Sequence, residues 1–375
     1  LISLFKVTVN IFVFLLFVFS FDFNLKFCYN KSMEKTKSKT KIKPKKKRKP
    51  KIPKKILKNF KFEPTWFSFV GALYSVLNHR KEKVALSDLF GWTFSGFRIN
   101  IERNIFPYSG NNFPWQEVFP LICDNIGYDF NYVQSIKGQN LFYTKKEEAI
   151  ELIRSELKQK RPVIAFGLSS PEFGVVYGYD DEKKTLYFID AKEQEGEIYY
   201  KDLGESKSKY LSVLAIKEKL RIDLRKTILY SLTYAVWYSD GFESIEEDSQ
   251  GGLKAYDLWI EELRRRKFDH FGNSYNASVV FECRQMIVAY LNSIIPQFKP
   301  DLASHLKKAN DRLKKVVLSF NEFIKIFPYP GNIEDTLDEE KILNAILTLR
   351  DAEKYEQEAI NHIKAFLNKI MNKAH

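Results

Sequence analysis

Hydrophobic patterning divides the 375-residue chain into three regimes. The first, "LISLFKVTVNIFVFLLFVFSFDF", is apolar from Val7 to Phe23, with only Asn10 and Ser20 as polar interruptions before Asp22. In the second, residues 33–61, apolar positions are sparse and follow no period. From Phe62 onward they recur at regular spacing. Trp66, Phe69, Val70, Leu73, Val76 and Leu77 stand on one helical face, with Thr65 as candidate N-cap. A mixed, aromatic-rich stretch through "GWTFSGFRINI" and "FPYSGNNFPW" reads as loops. The capping box Thr144/Glu147 predicts a helix from Lys145, ended by Pro162. Strands are predicted at Val163–Phe166, Phe173–Tyr179, Thr185–Ile189 and Tyr210–Ile216, with the Asp180–Lys184 turn making a hairpin of the second and third.

Beyond about Arg221 the strands stop. Shorter helices are predicted at 225–238, 253–267 and 276–294. Leu302, Leu306, Ala309, Leu313, Val316, Phe320 and Phe323 then keep an unbroken 3/4 spacing. After the loop "FPYPGNIEDT" and a second capping box, Thr336/Glu339, Ile342 through Ile370 continue it. These two long helices predict an antiparallel hairpin. The fold class is α+β with a mainly antiparallel sheet, and not alternating βα units. The expected organisation is a leader (1–32), a disordered basic tail (33–61), an α+β domain (62–220) and an all-helical domain (225–373).

Charge sharpens the second regime. The formal net charge is +13, but Lys31–Lys61 holds sixteen Lys/Arg against one acid, which leaves the rest of the chain at −2. The basicity therefore belongs to the tail. Such a tail fits weak contact with nucleic acid or an anionic membrane, and equally a solvated segment with no partner. The leader also has two readings. It is long enough to span a bilayer, and the lysines after it would keep the globular part in the cytoplasm. Alternatively translation starts at Met33 and the protein is cytoplasmic throughout.

Candidate chemistry is sparse. Cys28, Cys123 and Cys283 are widely spaced, no metal-ligand spacing occurs among the five histidines, and no phosphate loop, dinucleotide fingerprint, HExxH or GxSxG is present. No metal or cofactor is expected. His79 is expected at a helix C-terminus, where positive charge is favoured. His270 precedes the polar run Asn273, Tyr275, Asn276, which reads as a turn capping the helix from 276 or as a ligand-binding pocket.

The segments "FSFVGALYSVLN", "LSDLFGWTFSGFRI", "PVIAFG", "EFGVVYGYDDEKKTLYFID" and "YLSVLAIKE" together resemble the papain-like fold of peptidase C39-like proteins. They are most similar to the N-terminal domain of the butirosin biosynthesis protein H type, over roughly 62–217. The resemblance implies a cysteine in the first turn of the early helix, a histidine opening a sheet strand, an Asn or Asp on the next strand and a glutamine ahead of the cysteine. Here those positions fall on Ser68, Glu172, Asp190 and Phe62, so only the orienting acid matches. A serine without a neighbouring base is a poor nucleophile, and a carboxylate beside Asp190 should have a raised pKa. The resemblance with these departures implies a catalytically inactive module that binds a small molecule or peptide between the two domains. The alternative is an acyltransferase or an amide or peptide hydrolase with altered residues Ser68, Glu172 and Asp190.

Overall fold

The computed structural model describes residues 53–107, 109–111, 113–192, 195–241, 248–332 and 338–372. Its centre is a sheet whose composition explains the apolar strand runs. Seven strands take part: β1 (Lys54–Ile56), β3 (Tyr128–Ile136), β4 (Val163–Phe166), β5 (Phe173–Asp180), β6 (Thr185–Asp190), β7 (Glu195–Tyr199) and β8 (Tyr210–Lys219). The order is β3-β8-β4-β5-β6-β7, with β1 beside the far half of β5, and every neighbouring pair is antiparallel.

Alternate residues along a strand face opposite sides, so a strand covered on both faces must be apolar throughout. Ile164, Val175, Leu214 and Ile216 join one core with Phe69, Val70 and Leu73 of α1 (Ser68–His79) and Phe119 and Ile122 of α3 (Trp115–Ile126). Val163, Ala165, Val176, Val213 and Ala215 join another with Ala149, Ile153 and Leu157 of α4 (Phe142–Lys158). A further short helix, α2 (Leu86–Trp92), and a two-stranded pair, β2 (Asn100–Glu102) with β9 (Ser249–Gly251), complete this part.

A third core belongs to the helices α5 (Leu224–Ser239), α6 (Lys254–Arg265), α7 (His270–Ile294), α8 (Pro300–Ile326) and α9 (Glu339–Met371). α8 and α9 pack antiparallel as predicted, with Arg312 paired to Glu358 at 2.8 Å and Lys369 reaching Asp301 at 4.0 Å. All described residues belong to one compact unit. The helices dock on the sheet part through a buried guanidinium. Arg284 of α7 donates to both oxygens of Glu356 on α9 at 2.9 and 2.5 Å, and to the carbonyls of Gly96 and Arg98 at 2.8 and 3.0 Å. The Tyr256 hydroxyl adds a bond to Glu356 at 2.7 Å.

Several boundaries differ from the pattern. α4 starts at Phe142, ahead of the Thr144/Glu147 box, because Phe142 is buried in the core and draws the helix start back. Residues 54–61 lie in the stretch expected as tail, yet Lys54–Ile56 pairs with β5, Leu57 is buried and Phe60 stacks on Tyr177. The stretch 86–136, read as loop or left unassigned by the pattern, contains α2, α3 and β3. Pro120 inside α3 and the mixed polarity of the edge strand "YDFNYVQSI" hide the last two.

α7 begins at His270, six residues before the expected start, capped by the Asp269 side chain accepting from Gly272 N at 2.6 Å. Gly272 is required by close approach: a Cβ there would meet the Ile105 carbonyl at 2.0 Å. Thr336 and the apolar leader lie outside the described residues. Among the described residues no helix is long and apolar enough to cross a membrane.

Removing one partner of a buried ion pair strands a charge, whereas removing both does not. Arg284→Met should therefore cost roughly 3–5 kcal/mol in urea unfolding, and Arg284→Met/Glu356→Leu should recover most of it.

Candidate functional site

The segment ahead of α1 crosses back over the helix, and its polar groups are tied down one by one. Glu63 N donates to Ser75 Oγ at 2.8 Å, and Thr65 Oγ1 accepts from Gly71 N at 3.1 Å while donating to Phe67 O at 2.8 Å. A Cβ on Gly71 would sit 2.4 Å from Glu63 O, so only glycine permits this crossing. Thr65 therefore satisfies a free N–H of the first turn without occupying the N-cap position, which is Phe67. Phe67 N points across to α7 and donates to Glu282 Oε2 at 3.0 Å.

This brings Ser68, the first residue of α1, against the start of β5. Ser68 is buried, and its Oγ accepts from Phe173 N at 3.1 Å. Glu172, immediately before β5, is only 8% exposed. Its Oε1 accepts from the Tyr275 hydroxyl of α7, while Oε2 has no hydrogen-bond partner among the described residues. Asp190 ends β6 opposite Gly174 and is fully buried. Its carboxyl accepts from the Ser169 hydroxyl and from Lys192 N at 3.1 Å.

Burial dominates the electrostatics here. It pushes the Glu172 carboxyl up to about 7, against the pull of the Ser68 hydroxyl and the Tyr275 phenol; the charge of Asp190 adds a smaller push in the same direction. The partly buried Glu282 is also raised to about 7 by burial, opposed by the backbone N–H groups of Phe67 and Trp66. Both carboxyls line one cavity of about 400 Å³, walled by Trp66, Phe271, Tyr275 and Tyr329 with Lys192 at its edge.

The predicted triad positions thus meet, but with their hydrogen-bonding capacity largely assigned. Ser68 Oγ accepts from Phe173 N while its hydroxyl faces Glu172, and Asp190 is engaged by Ser169 and Lys192 N, so Asp190 holds the loop after β6 rather than a base. Phe62 packs on the core beside α1 and is outside the cavity lining. Of the second predicted group, only Tyr275 lines the cavity.

Asn276 clamps the preceding loop: Nδ2 donates to Phe106 O and Ser109 Oγ, both at 3.1 Å, and Oδ1 accepts from Gly110 N at 3.1 Å. Asn273 Oδ1 accepts from Trp259 Nε1 at 2.7 Å, and the His270 ring packs on Phe268. These polar residues lie within α7 and hold neighbouring segments; they form no turn. His79 does end α1, but burial lowers its pKa, so charge is disfavoured there. Cys123 and Cys283 are buried, and burial raises both thiols, so neither supplies a thiolate. Among the described residues no cluster of His, Cys, Asp or Glu suits a metal ion.

The residues missed by pattern reading are Trp66, Phe271, Glu282, Tyr329 and Lys192. Phe271, Tyr275 and Glu282 are four and seven residues apart, one and two turns along one face of α7. That relation is visible only once the helix starts at 270. No protein-family model matches the chain, and no curated protein is similar to it.

The raised carboxyl makes a signed stability prediction. Between the ordinary carboxylate range and pH 7, native Glu172 holds a proton that the unfolded chain has released, so its contribution to stability falls as pH rises. Glu172→Gln lacks this loss. Urea unfolding of wild type and variant at pH 5 and pH 8 should shift in the variant's favour by about 2–3 kcal/mol between the two.

Proposed function

We propose that this chain is a ligand-binding or interaction protein built on a papain-like domain whose cysteine chemistry has been lost, and that its ligand occupies the cavity between the α1/β5 junction and α7. The reading rests chiefly on the state of Ser68. At the place where a nucleophilic thiol would be expected, its oxygen is buried and accepts a backbone hydrogen bond from Phe173. Among the described residues no imidazole lines the cavity, and the group nearest a base, Glu172, is held by Tyr275. A volume of about 400 Å³ with aromatic walls and a few convergent polar groups is the usual make-up of a small-molecule site.

One observation favours a second reading, an acyltransferase or amide hydrolase of the butirosin type with altered residues. Glu172 is close to Ser68 and titrates near 7, in the range where a carboxylate acts as general base at neutral pH. Against it, Ser68 is buried and is not among the residues lining the cavity, and the negative charge of Glu172 is costly where it is buried.

The two readings separate on Ser68→Ala. The binding reading expects no Ser68-dependent turnover of thioester, ester or peptide substrates. It also expects a loss of about 1–2 kcal/mol of stability from the stranded Phe173 N–H. Turnover that disappears in Ser68→Ala would establish the second reading.

A further inference from the structure

The proposed ligand site has walls and charge of a particular kind. Four rings close a circuit around it. Trp66 meets Tyr275 edge-on at 5.8 Å and Tyr329 edge-on at 5.0 Å, and Phe271 lies 5.8 Å from Tyr275 and 5.5 Å from Tyr329 between ring centroids. Trp66 and Tyr329 are partly exposed and form its open side, while Tyr275 is buried. Two carboxyls, Glu172 and Glu282, reach the same space from different elements.

The polar side of this box is incomplete. Glu172 is more than nine-tenths buried, and its Oε2 has no hydrogen-bond partner among the described residues. A buried carboxylate oxygen without a donor is costly, and the usual remedy is a bound donor or cation. Aromatic faces supply the complementary preference, because ring quadrupoles attract cations.

From this juxtaposition we infer that the cavity binds a small protonated organic amine that keeps at least one N–H, its cationic nitrogen donating to Glu172 and its apolar body held by the ring box. The inference rests on the ligand-binding reading above and narrows it to one ligand class. A quaternary ammonium would satisfy the rings but leave Glu172 Oε2 without a donor. An anion would face two carboxyls. Lys192, exposed at the edge, is the one cation lining the described cavity and opposes the ligand's charge.

Protonation gives the binding a direction with pH. Glu172 is faced by Ser68 of α1, Tyr275 of α7, Asp190 at the end of β6 and Lys192 beyond it. Glu282 is faced by the backbone N–H groups of Trp66 and Phe67. An amine donating to Glu172 would draw that carboxyl into its ionised form, so binding releases a proton and tightens as pH rises through about 7.

The test uses the full chain and three probes of similar shape: benzylamine, benzyl alcohol and benzoate, titrated calorimetrically at pH 6 and pH 8. Benzylamine should bind at least roughly tenfold more tightly than either isostere, should tighten roughly tenfold from pH 6 to pH 8, and should release protons. Glu172→Gln should remove the preference for the amine, with its fold checked by thermal unfolding. Lys192→Ala, a surface change that leaves the core intact, should tighten benzylamine a few-fold at pH 8. Benzyl alcohol or benzoate binding as tightly as benzylamine, with that binding lost in Trp66→Ala, would overturn the amine assignment and leave the ligand site standing. Weaker benzylamine binding in Lys192→Ala would also overturn the assignment. Failure of all three probes to bind would overturn both.

Discussion

The buried ion pair between Arg284 and Glu356 is the constraint on which the rest of the molecule depends. A guanidinium that is 1% exposed cannot be left unpaired, so its donors fix the positions of α9 and of the Gly96–Arg98 backbone at once. Those contacts hold α7 against the sheet part, and α7 then supplies the other ties across the seam. Asn276 clamps residues 106–110, Glu282 receives Phe67 N, and Tyr275 reaches Glu172. The candidate site is thus a by-product of how α7 is anchored. Helix and sheet contribute one carboxyl each to a single cavity.

The same anchoring bears on the proposed choice of binding over group transfer. Nucleophilic catalysis needs an oxygen or sulfur whose proton can leave to a base. Here Thr65 and Glu282 accept from the Gly71 and Phe67 N–H groups at the start of α1, and Ser68, buried outside the cavity lining, accepts from Phe173 N of β5. The Asp that would orient an imidazole instead fixes the loop carrying Lys192. What remains beside them in the cavity lining is the carboxyl of Glu172 and a group of four aromatic rings. Both are recognition elements, and both attract positive charge.

The sheet was legible because its chemistry is local. "PVIAFG" and "EFGVVYGYD" are apolar at consecutive positions, and both faces of the corresponding strands are indeed covered. The two long helices were legible for the same reason, through spacing. β3 and β7 were not, since these edge strands interleave polar residues with apolar ones and present no continuous apolar run.

The site was half legible. Position along the chain singled out Ser68, Glu172, Asp190 and Tyr275. The sequence could not show that Glu282 and Trp66 meet them, because that depends on where α7 begins. Its start is set by Asp269 and by the close approach of Gly272 to the Ile105 carbonyl, while "GNSYN" by composition alone reads as a turn.

The central claim is that two carboxyls with raised pKa share one cavity. The most direct measurement is a carbon-detected NMR titration of the full chain with side-chain-labelled glutamate, the resonances assigned with Glu172→Gln and Glu282→Gln. The account requires two glutamates titrating near pH 7, one lost in each variant. Titration of both in the ordinary carboxylate range near 4.5 would contradict it.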